Sequence, residues 1–164
     1  MMDDFAAFTL KSTSLLDRII TDVRINSNKR YLTEPIDANK AWRALWDTGA
    51  SSSIIDRKAA KILCLEPQGV HILTTANGTN KFCNYIIDLD LTNNVKITNF
   101  IVGGGDLGDD IDFLIGMDII SQGDFSISNV NGSTTFSFRI PSVKEIDYVK
   151  EANDTNRCLP SENK

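Results

Sequence analysis

The stretch ALWDTGAS at residues 44–51 places a carboxylate, a hydroxyl and a glycine directly after an apolar run. The run from Ala41 to Trp46 predicts a strand, with Asp47 at its end. A carboxylate beside a buried strand is costly unless hydrogen bonds hold it. Thr48 offers a hydroxyl and Gly49 allows close backbone approach. Facing a cleft, such a carboxylate can activate water; the plainer interpretation is a strand that ends in an Asp-Gly turn.

The segments around this stretch predict a mainly β chain. Residues 19–25 alternate as a strand, and Asp56 is a plausible N-cap for a short helix over 57–65. Asn-Gly pairs predict hairpins at 77–78 and 131–132, and another hairpin is expected through 93–94. The apolar run 113–115 continues into Gly116-Met117-Asp118, where a second short helix is expected to begin. Many short strands with two short helices favour a barrel-like domain.

This order of segments resembles the retropepsin-like aspartic proteases, the half-sized relatives of pepsin. The resemblance covers about residues 19–140 and depends on three motifs: 45–51, the hairpin around Asn77-Gly78, and Phe113-Leu114-Ile115-Gly116-Met117-Asp118. It implies a closed, barrel-like retropepsin-type acid protease fold with one or two short helices and a β-hairpin flap.

The resemblance also implies roles for individual residues. Asp47 matches the catalytic carboxylate and Thr48 the residue that locks two active-site loops together. Gly49, Ala50 and Ser51 match backbone groups that contact an extended peptide. The other implied positions are the flap tip (Thr75, Ala76, Asn77, Gly78 and Thr79), a pocket wall (Leu114) and a buttress behind the active-site loop (Gly116 and Asp118).

Asp118 has two interpretations. As a second catalytic carboxylate it would complete a dyad within one chain. As a structural acid it would bond the backbone or Ser53 and complement the N-terminus of the following helix. We favour the structural role, because the matching family position is a buttress and no Asp-Thr-Gly context surrounds Asp118.

Aspartic-protease chemistry needs two carboxylates about 3 Å apart that share one proton. The chain has one Asp-Thr-Gly, so a second copy must supply the other carboxylate, which predicts a symmetric homodimer acting as an endopeptidase on peptides or proteins. The alternative is a non-catalytic dimerising or peptide-binding module on the same fold. A third hypothesis is nucleotide or calcium binding by the loop 103–112. It is weak, because the G-x-G-x-x-G pattern there opens no helix and the aspartates miss the EF-hand spacing.

The chain departs from the family in three places. The connection 26–40 is long, and Trp46 is large for a position that is usually aliphatic. The segment beyond Pro141 replaces the short C-terminal strand with which retroviral members dimerise. We therefore expect an N-terminal arm over 1–15, the protease domain over 16–142 and a polar tail over 143–164.

Composition excludes several other classes of function. The 164 residues carry a net charge of −5 without a basic run, which argues against nucleic acid and anionic membranes as partners. No apolar stretch spans a bilayer and no secretory signal is recognisable. Three scattered cysteines and one histidine, His71, indicate free thiols and no metal or other cofactor site. These features predict a cytoplasmic location.

Overall fold

The structure is a computed structural model that describes residues 5–27, 40–75, 78–93 and 95–158. The strands are β1 (Ala6–Lys11), β2 (Ile20–Ser27), β3 (Trp42–Trp46), β4 (Ile54–Asp56), β5 (Gly69–Thr75), β6 (Gly78–Asp90), β7 (Lys96–Gly105), β8 (Phe113–Ile115), β9 (Asp124–Ser128) and β10 (Thr135–Ile140). The helices are α1 (Arg57–Ile62), α2 (Met117–Ile120) and α3 (Tyr148–Cys158), with a 3-10 turn at Val130–Gly132. The expected mainly β architecture is confirmed.

Six strands close into a barrel in the order β2-β3-β8-β4-β7-β6, and pairing between β2 and β6 completes the ring. The long strand β6 makes this closure possible because its two halves have different partners on one edge. Its first half pairs with β5, and Ile87 to Asp90 pair with β2. The β5–β6 hairpin therefore extends out of the barrel wall. The barrel interior is filled by fully buried aliphatic and aromatic side chains: Ile55, Ile87, Leu89, Val95, Phe113 and Ile115.

The glycine run 103–105 belongs to strand β7, so the expectation of a loop was wrong for these three residues. They pair in parallel with β4. Glycine is required at 104, because a Cβ there would lie 2.7 Å from the ring of Tyr85. Burial of Tyr85 is the largest of the effects that raise its pKa above the ordinary value. Gly104 therefore allows close packing of the barrel wall, a role that the G-x-G-x-x-G pattern obscured.

A second, three-stranded sheet of order β1-β10-β9 packs against the barrel. Its inner face carries Phe8, Phe125, Phe136 and Phe138, whose rings lie 4.9–6.0 Å from the ring of Trp46, centroid to centroid. The hairpin predicted at 131–132 is confirmed between β9 and β10, with positive φ at Asn131 and Gly132.

Both ends of the described chain are more structured than the sequence indicated. The N-terminal arm expected over 1–15 includes β1, which pairs with β10 and buries Phe8. One buried aromatic residue gives too little periodicity to reveal a strand. The polar tail expected over 143–164 includes α3 over Tyr148–Cys158. Within the described residues, no helix is long and apolar enough to cross a membrane.

Candidate active site

Asp47 follows the last residue of β3 and is held there by its backbone. Its N–H donates to the carbonyl of Ile115 at 2.9 Å, which ties it to the neighbouring parallel strand β8. The N–H of Gly49 donates to Asp47 Oδ1 at 2.8 Å. Among the described residues, Oδ2 has no hydrogen-bond partner, and the side chain is half-buried. One oxygen of the carboxylate is therefore fixed and the other is available.

The loop after Asp47 is bonded to the segment between β8 and α2. The N–H of Met117 donates to the carbonyl of Ala50 at 2.8 Å, and the N–H of Gly116 donates to Ser53 Oγ at 3.0 Å. A Cβ at Gly116 would lie 2.7 Å from the carbonyl carbon of Ser52. Only glycine lets the two segments approach this closely, which explains why the Gly-Met-Asp motif begins with glycine.

Both carboxylate oxygens of Asp118 accept hydrogen bonds from Ser53. Oδ2 accepts from the Ser53 N–H at 2.8 Å, and Oδ1 accepts from the Ser53 hydroxyl at 2.6 Å. The contact predicted between Asp118 and Ser53 is thus present, and Asp118 also lies in the first turn of α2. Because the Ser53 hydroxyl also accepts from Gly116, the three residues form one continuous network beneath the loop.

Trp46 is a large residue at a position that is usually aliphatic in the family, and the structure shows what its side chain contacts. Its indole N–H donates to the hydroxyl of Thr21 at 2.9 Å, and both side chains are buried. The ring fills the space between the barrel and the aromatic face of the second sheet. The large side chain therefore serves to join the two sheets directly behind Asp47.

The base of the β5–β6 hairpin faces the same loop. A cavity of about 290 Å³ is lined by Phe82 and Asn84 from β6, by Ser52, Ser53 and Ile54, and by Ile101, Gly103, Gly104 and Asp118. Sequence reasoning missed the β6 and β7 residues of this wall, because only the barrel topology brings them to the loop. The alternation of residues along β7 was the available signal.

The other predicted site residues are placed as follows. Thr48, Gly49 and Ser51 are exposed in the loop, and Leu114 is half-buried on β8 opposite Leu45. Thr75 pairs with Gly78 and Thr74 with Thr79, so Gly78 belongs to β6 and the predicted hairpin between β5 and β6 is present. Ala76 and Asn77 lie outside the described residues.

The aspartates of the loop 106–112 are engaged with neighbouring protein groups. Asp109 pairs with Lys58, whose hydrogen bond lowers the pKa of Asp109, and Asp110 lies 3.6 Å from Arg18. Asp112 accepts from the Arg43 N–H at 2.9 Å. No cluster of three or more metal-ligating side chains occurs in the part of the chain that the structure describes. These contacts anchor the loop to α1, to β3 and to the segment that precedes β2.

A closed six-stranded barrel with an Asp-Thr-Gly loop buttressed from the next strand defines a retropepsin-like aspartic protease fold. The family model described as "Aspartyl protease" matches residues 34–119, more than half of the chain. The chain therefore belongs to the aspartyl protease family. No curated protein matches the chain.

Comparison with solved structures gives matches at low sequence identity. The chain is similar to a retropepsin-like aspartic protease from Rickettsia conorii, with a TM-score of 0.53 and 16% identity over 84% of this chain and 96% of that one. It also matches the retroviral protease-like domain of Ddi1 from Leishmania major, with a TM-score of 0.48 and 15% identity over 74% and 95% of the two chains. The EIAV protease complexed with the inhibitor HBY-793 matches at 0.46, with 17% identity over 65% and 88%.

Proposed function

We propose that the chain is an aspartic endopeptidase whose active site forms between two identical copies, each contributing Asp47. The observation that carries this proposal is the state of the Asp47 carboxylate. One oxygen accepts from the Gly49 N–H, while Oδ2 has no partner among the described residues. Asp118, by contrast, accepts hydrogen bonds with both of its carboxylate oxygens.

The chemistry requires a pair of such carboxylates. With one proton shared between them, the ionised Asp47 takes a proton from a water molecule, and the water oxygen attacks the scissile carbonyl carbon. The protonated Asp47 of the second copy gives its proton to the carbonyl oxygen. As the tetrahedral intermediate collapses, the first Asp47 gives the proton it took from water to the nitrogen and the C–N bond breaks. One hydroxyl of the intermediate returns a proton to the Asp47 of the second copy, which restores the single shared proton. Each chain holds one Asp-Thr-Gly, so one copy cannot complete the cycle.

The surroundings of Asp47 support an extended peptide as the substrate. The loop 48–51 is exposed or half-exposed and presents backbone groups. The cavity beside it is lined by apolar Ile54, Phe82 and Ile101 together with polar Asn84, which suits a substrate side chain. In the proposal, the β5–β6 hairpin is the flap that covers the peptide, Thr48 joins the two loops, and Asp118 is structural.

A mixing experiment tests the shared active site. Wild type and Asp47→Asn are combined at constant total concentration, allowed to exchange subunits, and assayed with a diverse peptide pool. If both carboxylates are needed, activity falls as the square of the wild-type fraction, to about a quarter at equal amounts. If one chain is sufficient, it falls to about half.

The control is Asp17→Asn, since Asp17 is an exposed aspartate in the loop between β1 and β2. It should behave as wild type in the same mixture. A wild-type protein that cleaves no peptide between mildly acidic and neutral pH, yet binds peptides, would instead favour the non-catalytic binding module. A linear decline in the mixture would contradict the dyad.

A further inference from the structure

The cavity beside the candidate active site has an open floor because position 103 carries no side chain. In the register of the barrel, Gly103 of β7 lies between Ile54 of β4 and Asn84 of β6, and all three line the cavity. A Cβ built at Gly103 would have no atom of the described residues within 4 Å. The next glycine differs, because a Cβ at Gly104 would lie 2.7 Å from the ring of Tyr85. Gly103 therefore provides space in the cavity, whereas Gly104 provides close packing.

The side-chain amide of Asn84 is a polar group of this cavity that the described part of the chain leaves without a hydrogen bond. The backbone carbonyl of Asn84 accepts from the Gln68 N–H at 2.8 Å, and the residue pairs with Gly103. Its side chain is half-buried, and its amide bonds to none of the described residues. An amide has donors and an acceptor, so a group that enters the cavity must replace water on both.

The side chains around this amide are mostly apolar. Phe82, Ile54 and Ile101 form the walls. Among the described residues that line the cavity only Asp118 is charged, and both of its oxygens already accept from Ser53. A carboxylate that enters would be repelled by this negative charge. An ammonium group would lose its hydration among apolar walls.

We infer that Gly103 and Asn84 make the cavity selective for a substrate residue with a neutral amide side chain, glutamine or asparagine. The inference rests on the proposed function, which places an extended peptide beside the cavity. The substrate amide donates to the side-chain oxygen of Asn84 and accepts from its nitrogen, while its methylene groups contact the apolar walls. A hydrocarbon of the same size leaves Asn84 desolvated and unpaired. Asn84 is thus a specificity-determining residue and not a catalytic one.

Cleavage profiling tests this selectivity. A peptide library is digested with the wild-type protein, and mass spectrometry counts the residues at each position around the cleaved bonds. Two identical copies supply two such cavities, so we expect glutamine and asparagine to be enriched at one position on each side of the bond. Asn84→Leu replaces the amide by an apolar group of similar size, and the enrichment should pass to leucine and methionine. Asn153→Leu, at an exposed asparagine of α3 outside the cavity, is the matched control and should keep the wild-type profile.

Matched peptides measure the size of the effect. Peptides of one sequence carry glutamine, methionine or glutamate at the enriched positions. The wild type should cleave the glutamine peptide with a kcat/KM at least about tenfold above that of the methionine peptide, because a site that hydrogen-bonds a substrate group discriminates against a hydrocarbon. The glutamate peptide should be cleaved most slowly near neutral pH. Asn84→Leu should reverse the order of the glutamine and methionine peptides.

A second variant tests the space instead of the hydrogen bond. Gly103→Val adds a side chain where the structure leaves room, and a β-branched residue suits a strand. Circular dichroism checks that the variant is folded. The glutamine and methionine peptides should both be cleaved at least about tenfold more slowly, and the enriched residues should become alanine and serine. Unchanged cleavage of both peptides would contradict the place of Gly103 at the cavity floor.

Binding separates this inference from the proposed function. Asp47→Asn keeps the cavity without the catalytic carboxylate, so its affinity for the same peptides is measured by calorimetry without cleavage. A wild type that cleaves peptides with no amide preference, or that prefers lysine, would overturn the selectivity and leave the peptidase proposal standing. Amide-selective binding that Asn84→Leu abolishes, without any cleavage by the wild type, would support the selectivity and contradict the peptidase. Peptides neither bound nor cleaved would contradict both.

Discussion

Strands β3 and β8 run side by side in parallel, and each leads into an aspartate at the same end of the barrel. Asp47, after β3, has one oxygen held by its own loop and one without a partner in the described part of the chain. Asp118, after β8, has both oxygens bonded to Ser53. The same side chain is thus available in one segment and fully used in the other. The number of carboxylate oxygens that accept hydrogen bonds, more than burial, separates the candidate catalytic Asp47 from the structural Asp118.

Replacing Asp47 should produce the largest change in activity and the smallest in stability. Asp47→Asn keeps the shape and can still accept from the Gly49 N–H, but it cannot take a proton from water. We expect kcat to fall about 10³-fold or more, with KM and the free energy of unfolding nearly unchanged. Steady-state kinetics and urea unfolding check this. Full activity in the variant would remove Asp47 from the mechanism.

The same replacement at Asp118 should reverse the pattern. Asn has one acceptor oxygen for the two donors of Ser53, and its amide hydrogens would face the second donor. We expect Asp118→Asn to lower the free energy of unfolding by about 1–3 kcal/mol, since hydrogen bonds to a charged group are lost. Residual kcat in the folded fraction should stay far above that of Asp47→Asn. A kcat as low as that of Asp47→Asn would make Asp118 a catalytic candidate.

The free energy of unfolding should depend on the backbone at Gly116 about as strongly as on Asp118. Gly116→Ala forces a Cβ to within 2.7 Å of the Ser52 carbonyl carbon, so the loop and β8 must separate. We expect a loss of about 1–3 kcal/mol in urea unfolding.

Gly69→Ala is the control for that substitution, because no atom lies within 4 Å of its Cβ position. Its effect should remain within about 1 kcal/mol. Equal effects at both glycines would contradict the close approach at Gly116.

Much of this arrangement is visible in the sequence, because local signals determine it. The Asp47 loop, the N-cap at Asp56 and the hairpin at 131–132 follow from turn and capping chemistry, and the structure contains all three. The Lys58 N–H indeed donates to Asp56 at 2.7 Å. The family resemblance then implied the closed barrel, which the structure contains.

What the sequence did not reveal depends on contacts between distant segments. Strand β1 is recognisable only once β10 is present to pair with it, and Gly104 appears to be a loop residue until β4 and Tyr85 are seen against it. The wall formed by Phe82 and Ile101 likewise requires the barrel to close. Periodicity within one segment carries no information on these pairings.

Asp124 extends the comparison to a third carboxylate, and here the expected effect is the smallest and depends on pH. Its oxygens accept from the Ser142 hydroxyl, the Val143 N–H at 3.0 Å and Arg139 Nε at 2.6 Å, and its side chain is only 12% exposed. The hydrogen bond from Ser142, followed by that from Val143, holds the pKa of Asp124 well below its usual range. Because the folded-state pKa is lowered, the stabilisation is complete above the unfolded pKa of about 3.9 and declines as pH falls toward the folded value.

We expect Asp124→Asn to lose about 1–2 kcal/mol in urea unfolding at pH 7 and at pH 5 alike. The gap between variant and wild type should narrow below about pH 4, as the wild-type carboxyl begins to protonate in the unfolded chain. A gap that stays constant down to pH 3 would show that packing, and not the charge, makes Asp124 important.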